Sequence, residues 1–355
     1  MGKIKLGKYI EEYSQKNRTR KPYPVYSVTN SNGFCTEYFT KDVSSEDKSG
    51  YKLVPYGYFA YNPSRINVGS VDCQTKEETV IVSPLYTVFK VSEGLDIEYL
   101  RYFFKSNYCK YLIKSKVSGS VRFNLKFDTL KTFEINEIGP EEQKKAVDLF
   151  ISIEDLIKTE EKELALCDEL IKSRFIELFD GKFPAESLYS VCEELFAGGD
   201  VKKDDLSEEK DDEHPYPIFT NGEANDGLYG YTSKARVFKE AVTVSGRGTI
   251  GYTSLRSEPF YPAVRLIVAV PNQKLIDACY LKYFIQSKNY GGSGSSIPQL
   301  TVPMIKNELI PVPPMEKQLE FKTFIHEIDK LKFNVQKRIE KYKELLNKKM
   351  DEYFN

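Results

Sequence analysis

Apolar positions follow a helical rhythm over one long stretch. From Pro140 to Gly181 there is no internal Pro or Gly. Pro140 with Glu141 and Glu142 is a helix start, and Gly181 after Phe179-Asp180 is a helix stop. Between them Phe150, Ile153, Ile157, Glu160, Leu164, Cys167, Ile171, Arg174 and Leu178 recur at alternating spacings of three and four, and seven of the nine are apolar. One narrow greasy stripe on a charged rod predicts a coiled-coil helix, on the order of 60 Å long at ~1.5 Å per residue. Such a helix needs a partner.

The same seam returns 175 positions later: Ile325, Ile328, Lys332, Val335, Ile339, Tyr342, Leu346, Lys349 and Tyr353, again seven of nine apolar. Two such helices in one chain can bury each other's seams; the plainer alternative is two unrelated surface helices. An antiparallel pair would return the chain to where it began and bring its two ends together.

The segments before each helix also resemble each other. Lys21-Pro22-Tyr23-Pro24-Val25-Tyr26-Ser27 answers to His214-Pro215-Tyr216-Pro217-Ile218-Phe219-Thr220. A strand-like run then reaches an Arg-x-x-x-Gly turn, at Arg65–Gly69 and Arg247–Gly251. Buried-strand candidates follow at Leu85–Val91 and Ala263–Val270, then short helices around Glu98–Phe104 and Cys279–Ile285. Gly/Ser loops follow in both, at Ser118–Leu125 and Ser293–Leu300. The predicted class is α+β. Heads at 1–139 and 181–315 are α/β domains related by pseudo-symmetry, separated by long antiparallel coiled-coil helices at 140–180 and 316–355.

Composition narrows the class. The chain has 355 residues, 41% hydrophobic and 29% charged, with no apolar run long enough for a membrane. The first residues lack the apolar core of a signal peptide, so six scattered cysteines read as reduced thiols of a cytoplasmic protein. Two histidines leave little for histidine or zinc chemistry. A net charge of −1 looks wrong for a nucleic-acid binder, yet it hides a pattern. Residues 1–140 carry 21 basic and 15 acidic groups. Residues 181–315 are mildly basic once the acidic run Asp204–Glu213 is set aside.

Gly246-Arg247-Gly248-Thr249-Ile250-Gly251 matches the dinucleotide pattern, but Tyr252–Pro259 after it reads as strand or loop, where a helix is required. A glycine-rich turn presenting Arg247 is the better reading. Asn62-Pro63-Ser64-Arg65 begins like the Asn-Pro-Pro-Tyr motif of amino-methyltransferases but lacks its second Pro and its aromatic. With no methyl-donor loop, Walker motif or carboxylate–lysine nuclease cluster, the chain reads as non-catalytic.

The polar residues of the matching loops suit reading base edges, since Arg bonds guanine, and Asn or Gln adenine, in bidentate fashion. The candidates are Asn62, Ser64, Arg65, Asn67, Ser120, Arg122, Asn124 and Lys126 in the first head. In the second they are Asn221, Arg247, Thr249, Ser293, Ser295, Ser296 and Gln299. The competing role for each is to cap a turn.

Three features together resemble the specificity subunit of type I restriction–modification systems. They are Tyr61-Asn62-Pro63-Ser64-Arg65-Ile66-Asn67-Val68-Gly69-Ser70, Ile310-Pro311-Val312-Pro313-Pro314-Met315-Glu316-Lys317-Gln318, and the duplicated head–helix plan. The first copy of the second stretch keeps only Pro140 of its prolines. The resemblance implies two recognition domains, each reading half of a split, asymmetric DNA target, with the coiled coil setting the spacer. It implies helices that carry two methyltransferase subunits, with restriction and translocase subunits joining for cleavage. S-adenosylmethionine, ATP and Mg²⁺ would then belong to those partners. Two other classes stay open: a nucleotide-binding enzyme using the Gly246–Gly251 loop, and a coiled-coil adaptor whose heads bind proteins.

Overall fold

A computed structural model describes residues 2–36, 47–117, 124–201, 203–288, 290 and 299–355. Contacts divide the chain into two units, Met1–Glu161 with Gln336–Asn355, and Lys162–Val335. Two helices of 40 residues, Pro140–Phe179 and Met315–Phe354, each give one part to each unit.

Unit 1 is built on a four-stranded antiparallel sheet in the order Ile10–Glu12, Thr87–Val91, Phe59–Tyr61, Val71–Cys73. A two-stranded pair, Lys3–Lys5 against Glu134–Asn136, ties the start of the head to its end. Unit 2 repeats both features in the same order. Its sheet runs Cys192–Ala197, Ile267–Pro271, Ala241–Val244, Thr253–Arg256, and its closing pair is Ala185–Ser187 against Leu309–Pro311.

Two of the expected strands begin later than the apolar runs suggest. Leu85 is 76% exposed, in a turn ahead of Thr87–Val91. Val264 and Arg265 take left-handed backbone, with φ of 52° and 61°, before Ile267–Pro271 begins. A helix at Asn107–Val117 follows Ile97–Lys105, where the sequence pattern predicts only a loop.

Ile97–Lys105 and Ala278–Ser287 are capped by Asp96 and Asp277, whose carboxylates accept from Tyr99 N–H at 2.8 Å and Cys279 N–H at 2.8 Å. A buried glutamine from each long helix locks the cap. Gln143 Oε1 accepts from Asp96 N–H at 2.7 Å, and its amide donates to Gly94 O and Ile138 O. Gln318 makes the same three bonds, to Asp277 N–H, Leu275 O and Pro313 O. This is the physical content of the glutamine near each long-helix start.

In unit 1, Phe150 and Phe354 join a core with Phe59, Phe89, Tyr99 and Phe103, and Tyr99 lies 4.8 Å from Phe354 between ring centres. In unit 2, Phe179 takes the matching place against Tyr280 at 4.7 Å. Phe150, Ile153, Ile157, Ile171, Ile325, Ile328, Val335 and Ile339 of the expected seam are buried, whereas Leu164, Leu178 and Leu346 are half-buried. At the end of the first helix Phe179, not Leu178, turns into the core, because a straight helix drifts off a 3.5-residue seam.

Within each unit the facing helix segments run antiparallel. Phe150 meets Phe354 while the Glu160 carboxylate accepts from Arg338 Nε and Nη2, at 2.9 and 2.7 Å. In unit 2, Asp168 pairs with Lys332 and Arg174 with Glu320. The charged seam positions Glu160, Arg174 and Lys332 are thereby matched across the pair. Lys3 Nζ donates to the carbonyls of Phe354 (2.9 Å) and Asn355 (3.2 Å), so the two ends of the chain meet. No helix among the described residues is long and apolar enough to cross a membrane.

Candidate nucleic-acid interface

In unit 1 the central strand Phe59–Tyr61 runs into a turn closed by Asn62 N–H on Ser70 O at 3.0 Å. Asn62 Oδ1 accepts from Ser64 N–H at 3.0 Å, and Gly69 takes φ of 86°. The later loop folds back onto this turn. Leu125 N–H donates to Pro63 O at 3.0 Å, and the buried Tyr61 hydroxyl donates to Leu125 O at 3.1 Å. Burial pushes the Tyr61 phenol well up, so it stays a neutral donor. The candidates Ser64, Arg65, Asn67, Asn124 and Lys126 are thus brought to one exposed place, with half-buried Asn62 beneath. Ser120 and Arg122 lie outside the described residues. A cleft of about 480 Å³ opens beside the turn, lined by Asn62, Arg65, Ser83, Leu85, Tyr86 and residues 27–31 of a hairpin formed by Ser27–Thr29 and Gly33–Cys35.

Unit 2 builds the same junction from other residues. Ser245 N–H donates to Tyr252 O at 2.8 Å, and Leu300 N–H donates to Gly246 O at 2.8 Å. A Cβ on Gly246 would lie 2.6 Å from Leu300 O, so only glycine admits the returning loop. Arg247 Nη2 donates to Gln299 Oε1 at 2.9 Å, joining two candidates, and Thr249 is exposed beside them. Ser293, Ser295 and Ser296 lie outside the described residues.

Two expectations change here. Asn221 is engaged at both ends of its amide: Oδ1 accepts from Gly246 N–H at 2.7 Å and Nδ2 donates to Val264 O at 2.6 Å. It braces the turn. Arg65 and Arg247 correspond when counted back from Gly69 and Gly251, but the turn at 245–252 is one residue shorter than that at 62–70. Counted forward from the preceding strands, which end at Tyr61 and Val244, the two arginines differ by one position; counted back from the following strands, which start at Val71 and Thr253, they coincide. The Gly246–Gly251 stretch joins Ala241–Val244 to its antiparallel neighbour Thr253–Arg256, with no helix after it, so it is not a dinucleotide site.

One network escaped the sequence reading. The Arg256 guanidinium is buried, stacks 3.6 Å from the Phe219 ring centre, and bonds Thr243 Oγ1, the Asp226 carbonyl and the Asp226 carboxylate. That carboxylate also accepts from Tyr252 Oη (2.8 Å) and Ser254 Oγ (2.7 Å). Partial burial pushes the Asp226 carboxyl upward, but Ser254, Tyr252 and Arg256 together hold it below its usual range. The network pins residues 224–227 to the 245–252 turn. The Asp226-Gly227 dipeptide was its one signal, a turn marker. Burial pushes the Cys73, Cys192 and Cys279 thiols up to about 12, so none is a thiolate at neutral pH. No cluster of three or more metal-ligating side chains occurs among the described residues.

Residues 188–344 match the family model of the type I restriction modification DNA specificity domain. A Mycoplasma pneumoniae protein named as a type I specificity subunit is 28% identical over 199 residues, covering 56% of this chain and 54% of its own length. Another chain from that organism, named as the C-terminus of such a subunit, is 32% identical over 125 residues, covering 35% of this chain and 86% of its own. This chain spans about half the length of the longer curated relatives it matches. A chain from a solved type I restriction–modification system shares its fold, with a TM-score of 0.65 at 16% identity over 99% of this chain and 97% of that one. The duplicated head–helix plan, the family model and the well-covered relative agree: this chain belongs to the specificity-subunit family of type I restriction–modification systems.

Proposed function

We propose that this chain is the non-catalytic DNA-recognition subunit of a type I restriction–modification complex. Each head reads one half of a split, asymmetric target in duplex DNA. The long helices set the unread spacer and carry two methyltransferase subunits, and restriction and translocase subunits join for cleavage. S-adenosylmethionine, ATP and Mg²⁺ belong to those partners.

The observation that supports this most is the repeated junction: a turn after a central strand, held against a returning loop by Leu125 N–H on Pro63 O and by Leu300 N–H on Gly246 O. The scaffold is the same and each turn presents an arginine, Arg65 and Arg247, but the polar groups beside it differ, Asn67 and Asn124 against Thr249 and Gln299. A fixed frame with exchanged polar groups is what two readers of different sequences need. The test is methylation mapping in a host that expresses this chain with its methyltransferase. The expected result is one motif of two different half-sites separated by a constant run of unread bases. A single undivided motif, or methylation that does not depend on this chain, would refute the proposal.

A further inference from the structure

The segments that enter the two heads carry opposite charge. Lys16-Asn17-Arg18-Thr19-Arg20-Lys21 leads into Pro22-Tyr23-Pro24, and Glu209-Lys210-Asp211-Asp212-Glu213-His214 leads into Pro215-Tyr216-Pro217. The shared Pro-Tyr-Pro makes them corresponding segments of the repeat. One holds four cations and no acid; the other holds four acids and one lysine.

The basic segment is a built turn. Asn17 is 1% exposed, and its backbone N–H donates to Tyr51 O at 2.9 Å. Its side chain grips Lys21 from both sides: Nδ2 donates to Lys21 O at 2.8 Å, and Oδ1 accepts from Lys21 N–H at 3.1 Å. Arg20 donates its N–H to Asn17 O and takes φ of 56°, a left-handed conformation that is costly for a residue with a Cβ. Lys16, Arg18, Arg20 and Lys21 all stand exposed, Arg20 beside Asp47 at 3.6 Å. A buried asparagine whose amide holds an exposed lysine and whose carbonyl holds an exposed, strained arginine contributes little apolar burial; what it fixes is the position of cations.

The turn also adjoins the cleft of unit 1. The backbone of Lys16 pairs with that of Lys52 in an isolated antiparallel β-bridge, and Lys52 Nζ donates to the carbonyl of Tyr86, which lines the cleft with Asn62 and Arg65. The acidic counterpart is held in its own unit. Asp211 Oδ1 accepts from the backbone of Glu213 (2.9 Å) and His214 (2.6 Å), and Asp205 accepts from Thr232 and Ser233.

We infer that residues 16–21 are a phosphate clamp, which grips the duplex backbone beside the half-site read by unit 1. The corresponding segment of unit 2, residues 209–214, is acidic and does not supply this grip. Arginine forks and lysine ammoniums placed on a rigid turn match phosphate oxygens and carry no base information. The inference rests on the DNA-reading function proposed above and adds an inequality between the heads: unit 1 supplies more of the non-specific hold.

The test uses the full chain co-purified with its methyltransferase, and measures the slope of log Kobs for duplex DNA against log salt. Each phosphate neutralised contributes a slope of ~0.9. The K16Q/R18Q/R20Q/K21Q variant is expected to flatten the slope by about 2–4 while base preference at the target stays as in the wild type. The single variants R18Q and K21Q should each flatten it by ~0.9, which keeps the test open if the quadruple variant folds poorly. Wild-type binding with an unchanged slope in all three variants overturns the clamp and leaves the DNA-reading function standing. No duplex binding by the wild type sinks that function, and the clamp with it. Loss of self-association in sedimentation, with the DNA slope unchanged, assigns the turn to another copy's acidic segment and also overturns the clamp.

Discussion

Replacing Gln318 by leucine tests the joint between each long helix and its head. Gln318 is fully buried and makes three hydrogen bonds, from Asp277 N–H and to the carbonyls of Leu275 and Pro313, at 2.8–2.9 Å. Leucine fills a similar volume but leaves one N–H and two carbonyls without partners. At ~1–3 kcal/mol for each buried unsatisfied group, with some relaxation at the carbonyls, the loss is about 3–6 kcal/mol. A tenfold change corresponds to ~1.4 kcal/mol, so hydrogen-exchange protection of the Ala278–Ser287 amides should fall by about two to four decades. Exchange is the right readout because the chain has two units and a single unfolding midpoint would mix them. Gln143→Leu should do the same to Ile97–Lys105, since Gln143 makes the equivalent bonds. A drop under about fivefold, or one spread equally over both units from a single substitution, would contradict a glutamine-locked cap.

Other outcomes follow from particular contacts. Because Lys3 touches Phe354 and Asn355, a circular permutant that joins the ends and opens near Phe183 should fold and support methylation; failure to fold with an adequate linker contradicts it. Asp226 is held below its usual carboxylate range, so its contribution is present at neutral pH and is lost as pH falls through its folded value. The stability gap between wild type and Asp226→Asn should therefore be flat near pH 7 and shrink below the ordinary value of 3.8, a gap kept small by the half-exposed carboxylate. Chemical denaturation across pH checks this, and a gap that widens in acid opposes it. Inserting one heptad in each long helix should lengthen the unread spacer in mapped methylation sites without altering either half-site; an unchanged spacer removes the ruler role.

The long helices were legible because Pro140, Gly181 and the seam all point the same way. The repeat was legible because Pro-Tyr-Pro and the Arg-x-x-x-Gly turns recur in order. Strand starts were not, since an apolar run does not mark where backbone turns: Leu85 faces solvent and Val264 takes left-handed φ. Nor could composition separate a reader from a brace. Asn221 looks like an adenine reader until Gly246 and Val264 are seen to use its amide. Gln318 stood in a recognised stretch, but its partner Leu275 is 43 positions away and no local pattern announces it. Arg256 is hidden for the same reason, because its partner Asp226 lies 30 positions upstream.

In the proposed function the two heads divide the reading of one target. Binding of Arg65→Ala and Arg247→Ala, each assembled with the methyltransferase, to duplexes mutated at every target position tests it most directly. Losing a bidentate base contact costs ~1–3 kcal/mol of discrimination. Arg65→Ala is expected to relax one half-site and Arg247→Ala the other, with assembly intact in both. Loss at both half-sites from one substitution would contradict divided reading, and a uniform loss across the duplexes would remove these arginines as base readers.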